Sequence, residues 1–431
     1  MAEQRVTAGN GALDGKTAVA RRGGSARTLF AHADYRRVWL IGGLSGIARW
    51  LEFVAIAIFA YELTRSPKLV ALLAVLRMLP YFLFGFVMGA LADAVDLKRL
   101  LLGSLLTMVA TSTIMVALTA LGAATYAAIA VVVMVSGAFW TTDMPIRRRL
   151  LVDSVGSGSV AAALGFDNST MYATRALGPL IGGATYQFLG ISGIYVLIAA
   201  SYLICLLLAG KIKASPQRLP STMRSGAGLR FLLPPRELIL DRRFQIIMGV
   251  TLVYNLWCFP FVTMVPVIAQ RDFALTPSLV GALSAFDGLG GTIGALAVGT
   301  LAAQRTLFRF YYFGTLSFLL LVFALSLHLT VGTAICVLPL LGMAAASFSS
   351  TQYALVYTTA APEIRGRATG LLSIFIGSSM LGHYHTGLLF ERLGSAQAMQ
   401  LMMTEGIAAM VALAFAVRRD RRRRKLLMIN Q

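Results

Sequence analysis

Charged residues are scarce in this chain, and acidic residues are the scarcest of them. Only 13% of the 431 residues are charged and 57% are hydrophobic, while 38 Lys and Arg residues stand against 18 Asp and Glu residues. A soluble globular domain carries about a quarter charged residues. The composition therefore excludes a large soluble enzyme and predicts an integral membrane protein. Because apolar runs dominate, the net charge of +20 is interpreted as a topology signal, and no nucleic-acid partner is expected.

Cysteine and histidine are also rare, with three and four residues. Cys205, Cys258 and Cys336 lie in apolar segments without metal-ligand spacing, which predicts buried thiols and neither a metal site nor a cofactor. The short loops hold no nucleophile–base pair, metal motif or phosphate loop, so no enzyme activity is expected. No apolar stretch directly follows the two arginines at 21–22, so residues 1–30 are predicted to be a tail rather than a signal peptide.

Long apolar runs fill most of the chain. A membrane-spanning helix needs about 20 mostly apolar residues, and twelve segments qualify as predicted spans 1 to 12: Val38–Leu63, Leu69–Ala92, Leu100–Leu121, Ala123–Asp143, Val160–Leu189, Gly193–Gly210, Phe244–Ala269, Ser278–Ala303, Phe308–Leu329, Ala334–Thr358, Ala368–Phe390 and Ala396–Val417. The runs are continuous rather than alternating, which favours helices over a β-barrel.

Basic residues divide unequally between the two sets of loops. The set that includes both termini and the central connection holds 31 Lys and Arg residues, and the opposite set holds 4. Basic loops stay in the cytoplasm. We therefore expect a multi-pass protein of a bacterial inner membrane with both termini cytoplasmic.

The chain divides at a basic central connection. We predict a cytoplasmic tail over 1–37, a six-helix bundle over 38–211, a basic cytoplasmic linker over 212–243, a second six-helix bundle over 244–417 and a basic cytoplasmic tail over 418–431. The ends of spans 2 and 8 repeat the pattern Gly-x-Leu-Ala, at Gly89–Ala92 and Gly299–Ala302. Likewise, Pro-(x)-Ile-Arg follows both span 4 and span 10. These repeats favour two duplicated bundles.

Twelve spans, a basic central loop and these loop motifs resemble the major facilitator superfamily over roughly residues 35–417. The stretches at 34–40, 76–93 and 175–183 are most similar to its bacterial drug and siderophore exporters. The resemblance implies an all-α integral membrane fold of twelve transmembrane helices in two pseudo-symmetric six-helix bundles. It also implies a monomeric transporter in a lipid bilayer that alternates access to a small-molecule substrate.

The loop after span 2 matches one motif of that family in part. The pattern G-x-L-x-D-R-x-G-R-R/K is met at Gly89, Leu91, Asp93 and Lys98, whereas Ala94, Asp96 and Leu97 depart from it. In the family, the aspartate contacts the N-terminal end of a helix in the other half and stabilises the outward-facing state, a role that Asp93 could keep. We expect Asp96 to cap span 3.

A second motif of the family lies in span 5. Gly178-Pro179-Leu-Ile-Gly182-Gly183 matches GPxxGG, which in the family marks exporters that exchange substrate for protons. Gly178 and Gly182 are four residues apart, so they share a face and allow close helix packing. Pro179 can bend the helix. Packing alone and gating both remain open as roles for this motif.

Charges inside the spans cost about 2.5–3.5 kcal/mol each and normally face a partner or a cavity. In span 1, Arg49 and Glu52 project from one face. They form either a self-neutralising pair or a cavity site in which Arg49 binds substrate and Glu52 exchanges protons. Trp50, on another face, is expected to pack or to face lipid.

Further candidates are distributed over the other spans. Arg77 and Arg175 are candidate substrate or charge partners, and Asp167 is expected on a similar face to Arg175. Asp287 is read as a lone carboxylate among glycines and, with Glu52 and Asp167, as a candidate proton carrier. Asp143 is expected in an interfacial ion pair beside Arg147–Arg149, and Glu405 has no clear place.

Polar and aromatic residues of spans 7, 10 and 11 complete the candidate site. The resemblance places spans 7 and 10 on a central cavity, where they supply Tyr254, Asn255, Trp257, Gln352, Tyr353 and Tyr357. Such a mixture suits an amphiphilic organic ligand, although about half could be ordinary packing. His383 and His385 point about 200° apart on a helix, so we expect no shared metal and assign only His383 as a possible hydrogen-bond donor.

The favoured function is proton-coupled efflux of a small organic molecule, such as a drug-like compound or siderophore, with protons as coupling ion in an antiporter. Transport of iron or another small solute by the same fold is one alternative. A transport-dead membrane sensor is another, because the loop 2–3 motif is incomplete.

Overall fold

The computed structural model describes residues 26–94, 96–155, 159–213, 236–361 and 364–429. For residues 26–27, 85–94, 161, 236, 366 and 417–429 it describes the backbone alone. Within these ranges the regular structure is helical and contains no strand. The predicted all-α membrane fold class is confirmed.

The first half begins with a short helix, Ala26–Ala31, ahead of α1. Its long helices are α1 (Ala33–Thr64), α2 (Pro67–Ala94), α3 (Leu97–Ala120), α4 (Tyr126–Asp153) and the helix Val160–Gly210. The side chains of Asp96 and Thr125 accept backbone hydrogen bonds at the starts of α3 and α4. The prediction that Asp96 caps span 3 is confirmed.

The helix Val160–Gly210 is too long for one crossing. Its 51 residues would extend about 76 Å, against about 30 Å of hydrocarbon. Gly190 interrupts it with φ 62° and ψ −166°, a left-handed conformation that favours glycine. We therefore treat it as α5 (160–189) and α6 (191–210).

Contacts with α1 show that the chain reverses at this interruption. Side chains along the helix meet the start of α1, then its end, then its start again: Thr170 bonds Trp39, Tyr186 bonds Glu62, and Cys205 contacts the Ile41 carbonyl. Residues 160–210 therefore cross twice, as the sequence predicts.

The second half begins with a short helix, Arg236–Leu240. Its long elements are α7 (Arg242–Arg271), α8 (Pro277–Leu301), α9 (Leu307–Leu327), α10 (Val331–Thr359), α11a (Arg365–Gly377), α11b (Ser379–Leu393) and α12 (Ser395–Ile429). A π-helical turn, Tyr254–Cys258, interrupts α7. Pro260 lacks the N–H that would bond the Leu256 carbonyl four residues earlier, which accounts for the widened turn.

By length and composition, ten helices of the described chain could span a membrane. This number counts α5 and α6 as one and omits α11a and α11b, which are separately too short. Both pieces run along α2, since Gly377 packs on Phe82 and Gly387 on Ala71. The packing supports twelve crossings, while the length criterion alone supports ten, so the count of twelve stays a prediction.

Cys205 and Cys258 are buried thiols as predicted, but Cys336 is exposed. The expectation for Cys336 is wrong because an apolar segment in a membrane protein also has a face that points outward, away from the other helices.

The two halves meet between α5 and α8, as they do between α2 and α11. A Cβ at Gly183 would collide with the backbone of Pro277 and Gly281, and a Cβ at Gly281 with the Pro179 carbonyl. We call the helix ends near this contact the outer end, because the loop charges predict that they face away from the cytoplasm, and the opposite ends the inner end.

Hydrogen bonds across the outer end add to this contact. Gln187 accepts from the Ser278 backbone at 3.1 Å, Ser66 donates to Glu391 at 3.1 Å, and Gln270 donates to Glu62 at 3.5 Å. At the inner end, Tyr172 lies 2.8 Å from the Ser349 hydroxyl. The halves are thus in contact at both ends, and three hydrogen bonds join them at the outer end.

Gly183→Ala is expected to destabilise the protein by about 1–3 kcal/mol, because the added methyl group forces two backbones apart. The matched control is Gly299→Ala in α8, where a Cβ meets nothing within 4 Å. Thermal unfolding in detergent should show a lower apparent melting temperature for Gly183→Ala and an unchanged or higher one for the control. Equal melting temperatures would contradict the backbone contact.

Candidate functional site

Glu52 is buried between α1, α2 and α4. It is 2% exposed, and Ser136 Oγ lies 2.9 Å from both of its carboxylate oxygens. The nearest guanidinium is that of Arg77 at 3.8 Å. The self-neutralising Arg49–Glu52 pair is therefore wrong, because Arg49 pairs with Asp143 of α4 while Glu52 contacts Ser136 of α4 and Arg77 of α2.

Arg49 begins a chain of alternating charges inside the first half. Its Nη2 lies 2.9 Å from Asp143 Oδ2, and the Arg147 Nε lies 3.7 Å from the same oxygen. Arg147 also bonds Asp167. Two arginines and two aspartates thus neutralise each other across α1, α4 and α5, which is the condition for keeping charges in an apolar interior.

Three expectations change with this network. Asp143 is fully buried rather than interfacial, although its pairing with Arg147 is as expected. Asp167 faces Arg147 and Arg148 instead of Arg175. Arg147, counted as a loop residue, is 2% exposed, and its guanidinium occupies the space left open at Gly42.

Arg175 and Asp287 form an ion pair between the two halves. Nε and Nη2 of Arg175 lie 2.7 and 2.6 Å from Asp287 Oδ2. Gly288 makes the approach possible, since a Cβ there would collide with the backbone of Arg175 and Ala176. Asp287 is therefore not a lone carboxylate, and the sequence could not show this because its partner lies 112 positions away.

Aromatic rings lie against the arginines. The guanidinium carbons of Arg49 and Arg77 lie 4.8 and 5.2 Å from the Trp140 ring centroid, and that of Arg175 lies 5.1 Å from the Trp50 ring. Such cation–π contacts contribute about 0.5–2 kcal/mol each. Trp50 thus packs inside the protein, and the alternative that it faces lipid is not supported.

Two small cavities flank Phe53. One of about 20 Å³ is lined by Arg175 and Asp287, and another of about 20 Å³ by Arg77 and Thr263. Each can hold about one water. Arg77 Nη1 and Asp287 Oδ1 are buried without a hydrogen-bond partner among the described residues, so polar groups remain to be satisfied at both places.

The candidates in α7 and α10 divide into packing and polar residues. Tyr254 stacks on Phe348 at 3.7 Å, and Asn255 donates to the Thr251 carbonyl of its own helix. Gln352 reaches Thr251 at 3.3 Å. Tyr353 is half-buried and Tyr357 is exposed. Tyr254 is therefore a core residue, while Gln352 links α10 to α7.

The two histidines of α11b have separate partners. His383 is buried with Nδ1 2.7 Å from the Ser379 carbonyl. His385 lies 2.8 Å from Glu405, which also accepts from Trp257 at 2.9 Å. They point apart as predicted, and Glu405 is placed in a polar cluster of α7, α11b and α12.

The loop 2–3 motif is described only in part. Only the backbone is described at Gly89 and Asp93, so the contact of the Asp93 side chain stays a prediction. Lys98 donates from Nζ to the carbonyls of Gly210 and Ile212 at 3.0 and 2.6 Å. It therefore ties the start of α3 to the C-terminal end of α6 within the same half.

The span 5 motif packs on two neighbours. Gly178 and Gly182 face the backbone of Leu51 in α1, which confirms that they share a face for close packing, whereas Gly183 faces α8. The motif thus contacts both halves along one helix, and Pro179 lies between the two contacts.

Sequence reasoning missed several residues of the site, namely Ser136, Trp140 and Phe53. Ser136 and Trp140 are one turn apart on span 4, and neither carries a charge that would mark it as unusual in an apolar segment. A polar residue and a tryptophan on one face of a helix could have indicated partners for buried charges on a neighbouring helix.

The fold and the site together define a class: a polytopic helical membrane protein with two bundles and paired charges where they meet, which is the architecture of a secondary transporter. A family model described as Major Facilitator Superfamily matches residues 38–383. The chain therefore belongs to the major facilitator superfamily, and the resemblance drawn from the sequence is confirmed.

Individual relatives are distant. The chain is 20% identical over 357 residues to a staphyloferrin A transporter of Staphylococcus aureus (strain NCTC 8325 / PS 47), covering 83% of this chain and 89% of the relative. It shares the fold of the nucleoside transporter NupG, with TM-score 0.67, 13% identity, and 88% of this chain and 98% of that one covered.

A bacterial homologue of the human lysosomal transporter Spinster, solved in an inward-facing and unoccupied conformation, has a TM-score of 0.64. It is 15% identical, with 90% of this chain and 95% of that one covered. At these identities the solved structures show the fold alone.

Arg147→Met is expected to destabilise the protein by about 3–5 kcal/mol, because it leaves the buried Asp143 and Asp167 with less positive charge. The matched control is Arg148→Met, whose side chain is 34% exposed and should cost about 0–1 kcal/mol. Thermal unfolding of both variants in one detergent provides the comparison. A loss for Arg148→Met as large as that for Arg147→Met would contradict the buried network.

Proposed function

We propose that this protein is a proton-coupled exporter of a small organic molecule, a drug-like compound or a siderophore, that works by alternating access. It acts as a monomer in a bacterial inner membrane with both termini in the cytoplasm, and the two bundles over 38–211 and 244–417 move relative to each other. The observation that carries the proposal is the Arg175–Asp287 ion pair between the halves.

A carboxylate in this position can couple protons to motion. When Asp287 is ionised, it holds the Arg175 guanidinium and with it α5 against α8. A proton on Asp287 neutralises it and weakens the attraction across the junction. The ionisation state of one side chain therefore biases the contact that has to open and close during transport.

Glu52 offers a second place for a proton. It lies within the first half, with Ser136 at hydrogen-bond distance and Arg77 at 3.8 Å, a longer separation than in the Arg175–Asp287 pair. Its carboxylate therefore lies against one hydroxyl and one more distant cation, rather than in a close ion pair. Asp167, which bonds Arg147, is the third candidate.

The distant similarity to a staphyloferrin A transporter supports a siderophore as the substrate class. The GPxxGG motif at Gly178–Gly183 supports export, as in the exporters that carry it. The arginine-rich junction could bind an anionic group through Arg49, Arg77 or Arg175 once one of their carboxylate partners is protonated. NupG is a nucleoside transporter with the same fold, so nucleosides serve as a comparison class in the substrate test.

Asp287→Asn is expected to abolish substrate-stimulated proton movement in proteoliposomes that enclose a pH-sensitive dye, because the asparagine cannot ionise. It also leaves Arg175 unpaired, so the double variant Arg175→Gln/Asp287→Asn is tested beside it. The double variant should fold better than the single one and remain uncoupled. The control Asp34→Asn alters a partly exposed pair with Arg37 and should leave coupling intact.

Glu52→Gln is expected to reduce or abolish the same coupled proton movement, while keeping a hydrogen bond to Ser136. If Glu52→Gln and the Asp287 variants all retain full coupled transport, the assignment of the proton carriers is wrong.

The substrate is addressed by loading the proteoliposomes in turn with carboxylate, hydroxamate and catecholate siderophores, nucleosides and lipophilic dyes. Export coupled to protons for one class supports the proposal, and metal-dependent uptake supports the iron alternative. Binding without flux across the whole panel points to the sensor.

A further inference from the structure

A groove runs along the outside of the second half, between α9 and α10. It encloses about 890 Å³, within the range of about 300–1,000 Å³ typical of ligand pockets. We call it the lateral groove and define it by the residues that line it: Thr306, Arg309, Phe310, Phe313, Gly314, Ser317, Leu320, Leu321, Ala324, Leu340, Met343, Ala344 and Ser347. It is separate from the charged junction of the halves.

The groove exists because its floor is made of small residues. A Cβ at Gly314 would lie 2.9 Å from the Ala344 carbonyl and from the Ser347 Cβ, so the two backbones are in close contact there. Ser317 and Ala324 continue the floor with short side chains. Phe313, Leu320 and Leu340 stand at the rims and are about half exposed. The surface presented outward is therefore apolar and concave.

The inner end of the groove is basic. Arg309 lines it, and Arg305 lies four residues earlier, just before α9 begins at Leu307. Both side chains are exposed, and the residues that line the groove include no acid. The N-terminal end of α9 adds the positive end of its helix dipole at the same place. A concave apolar surface thus ends in two arginines at membrane-interface depth.

We propose that the lateral groove is a binding site for an anionic phospholipid. Arginine binds phosphate through bidentate hydrogen bonds, so Arg309 and Arg305 hold the headgroup phosphate and its negative charge. The acyl chains lie along the floor between Phe313 and Leu340, whose apolar side chains contact them. Basic pockets at the ends of transmembrane helices recognise anionic lipids by this charge complementarity.

The site depends on lipid charge and on the shape of the groove, and each is tested separately. Purified protein in detergent is titrated with dioleoylphosphatidylglycerol or with dioleoylphosphatidylcholine, and bound lipid is counted by native mass spectrometry. The two lipids share acyl chains and differ in net charge. The unaltered protein should bind phosphatidylglycerol more tightly, by about fivefold for each arginine that contacts it.

The double variant Arg305→Gln/Arg309→Gln should lose this preference, while the control Arg99→Gln should keep it. Arg99 is an exposed arginine at the inner end of the first half, with its side chain 85% exposed. Ser317→Phe should fill the groove and weaken binding of both lipids. Its control, Thr113→Phe, places the same ring on an exposed position of α3 and should leave the binding of both lipids unchanged.

Equal binding of the two lipids by the unaltered protein would overturn the proposal, and so would an unchanged preference in the double arginine variant. Loss of the preference in Arg99→Gln as well would show that the charge effect belongs to the whole inner face and not to the groove. All substituted side chains are exposed, so the variants are expected to fold, and their melting temperatures are measured alongside.

Discussion

An apolar interior tolerates charges only in opposed pairs, and this requirement organises the centre of the molecule. Four arginines, at positions 49, 77, 147 and 175, meet four carboxylates, at positions 52, 143, 167 and 287. Every one of these pairs but one connects helices of the first half. The exception is Arg175 with Asp287, which lie in different halves. The pairing that neutralises these two buried charges therefore also holds α5 against α8.

The fold follows closely from the sequence because the physical signal is strong and local. A run of about 20 apolar residues predicts a membrane-spanning helix, and the distribution of basic residues between the loops predicts the orientation of the helices. The two places where helices depart from the expectation have local causes. Gly190 turns the chain inside a continuous helix, and α11 is divided next to Gly377, where Phe82 of α2 packs against its backbone.

The site was predictable in its members but not in its pairings. The free-energy cost of placing a charge in an apolar segment marks Arg49, Glu52 and Asp287 individually in the sequence. All three lie in the centre of the protein. Which charge meets which depends on helix rotation and on separations of 20 to 112 positions along the chain. Arg49 and Glu52 share a face, yet α4 offers Asp143 to one and Ser136 to the other. The Ser136 hydroxyl and the Trp140 ring carry no charge, so the cost of buried charge does not point to them.

The contact of Gly183 with Gly281 has a mechanical consequence. Two backbones meet there without side chains between them, so little interlocking has to be undone when the helices turn against each other. Such a contact sets the separation of α5 and α8 by backbone contact and places no side chain between them. Arg175 and Asp287 lie about two turns from these glycines on their helices. Any rotation of one bundle relative to the other about the glycine contact would therefore change the distance between the two charges.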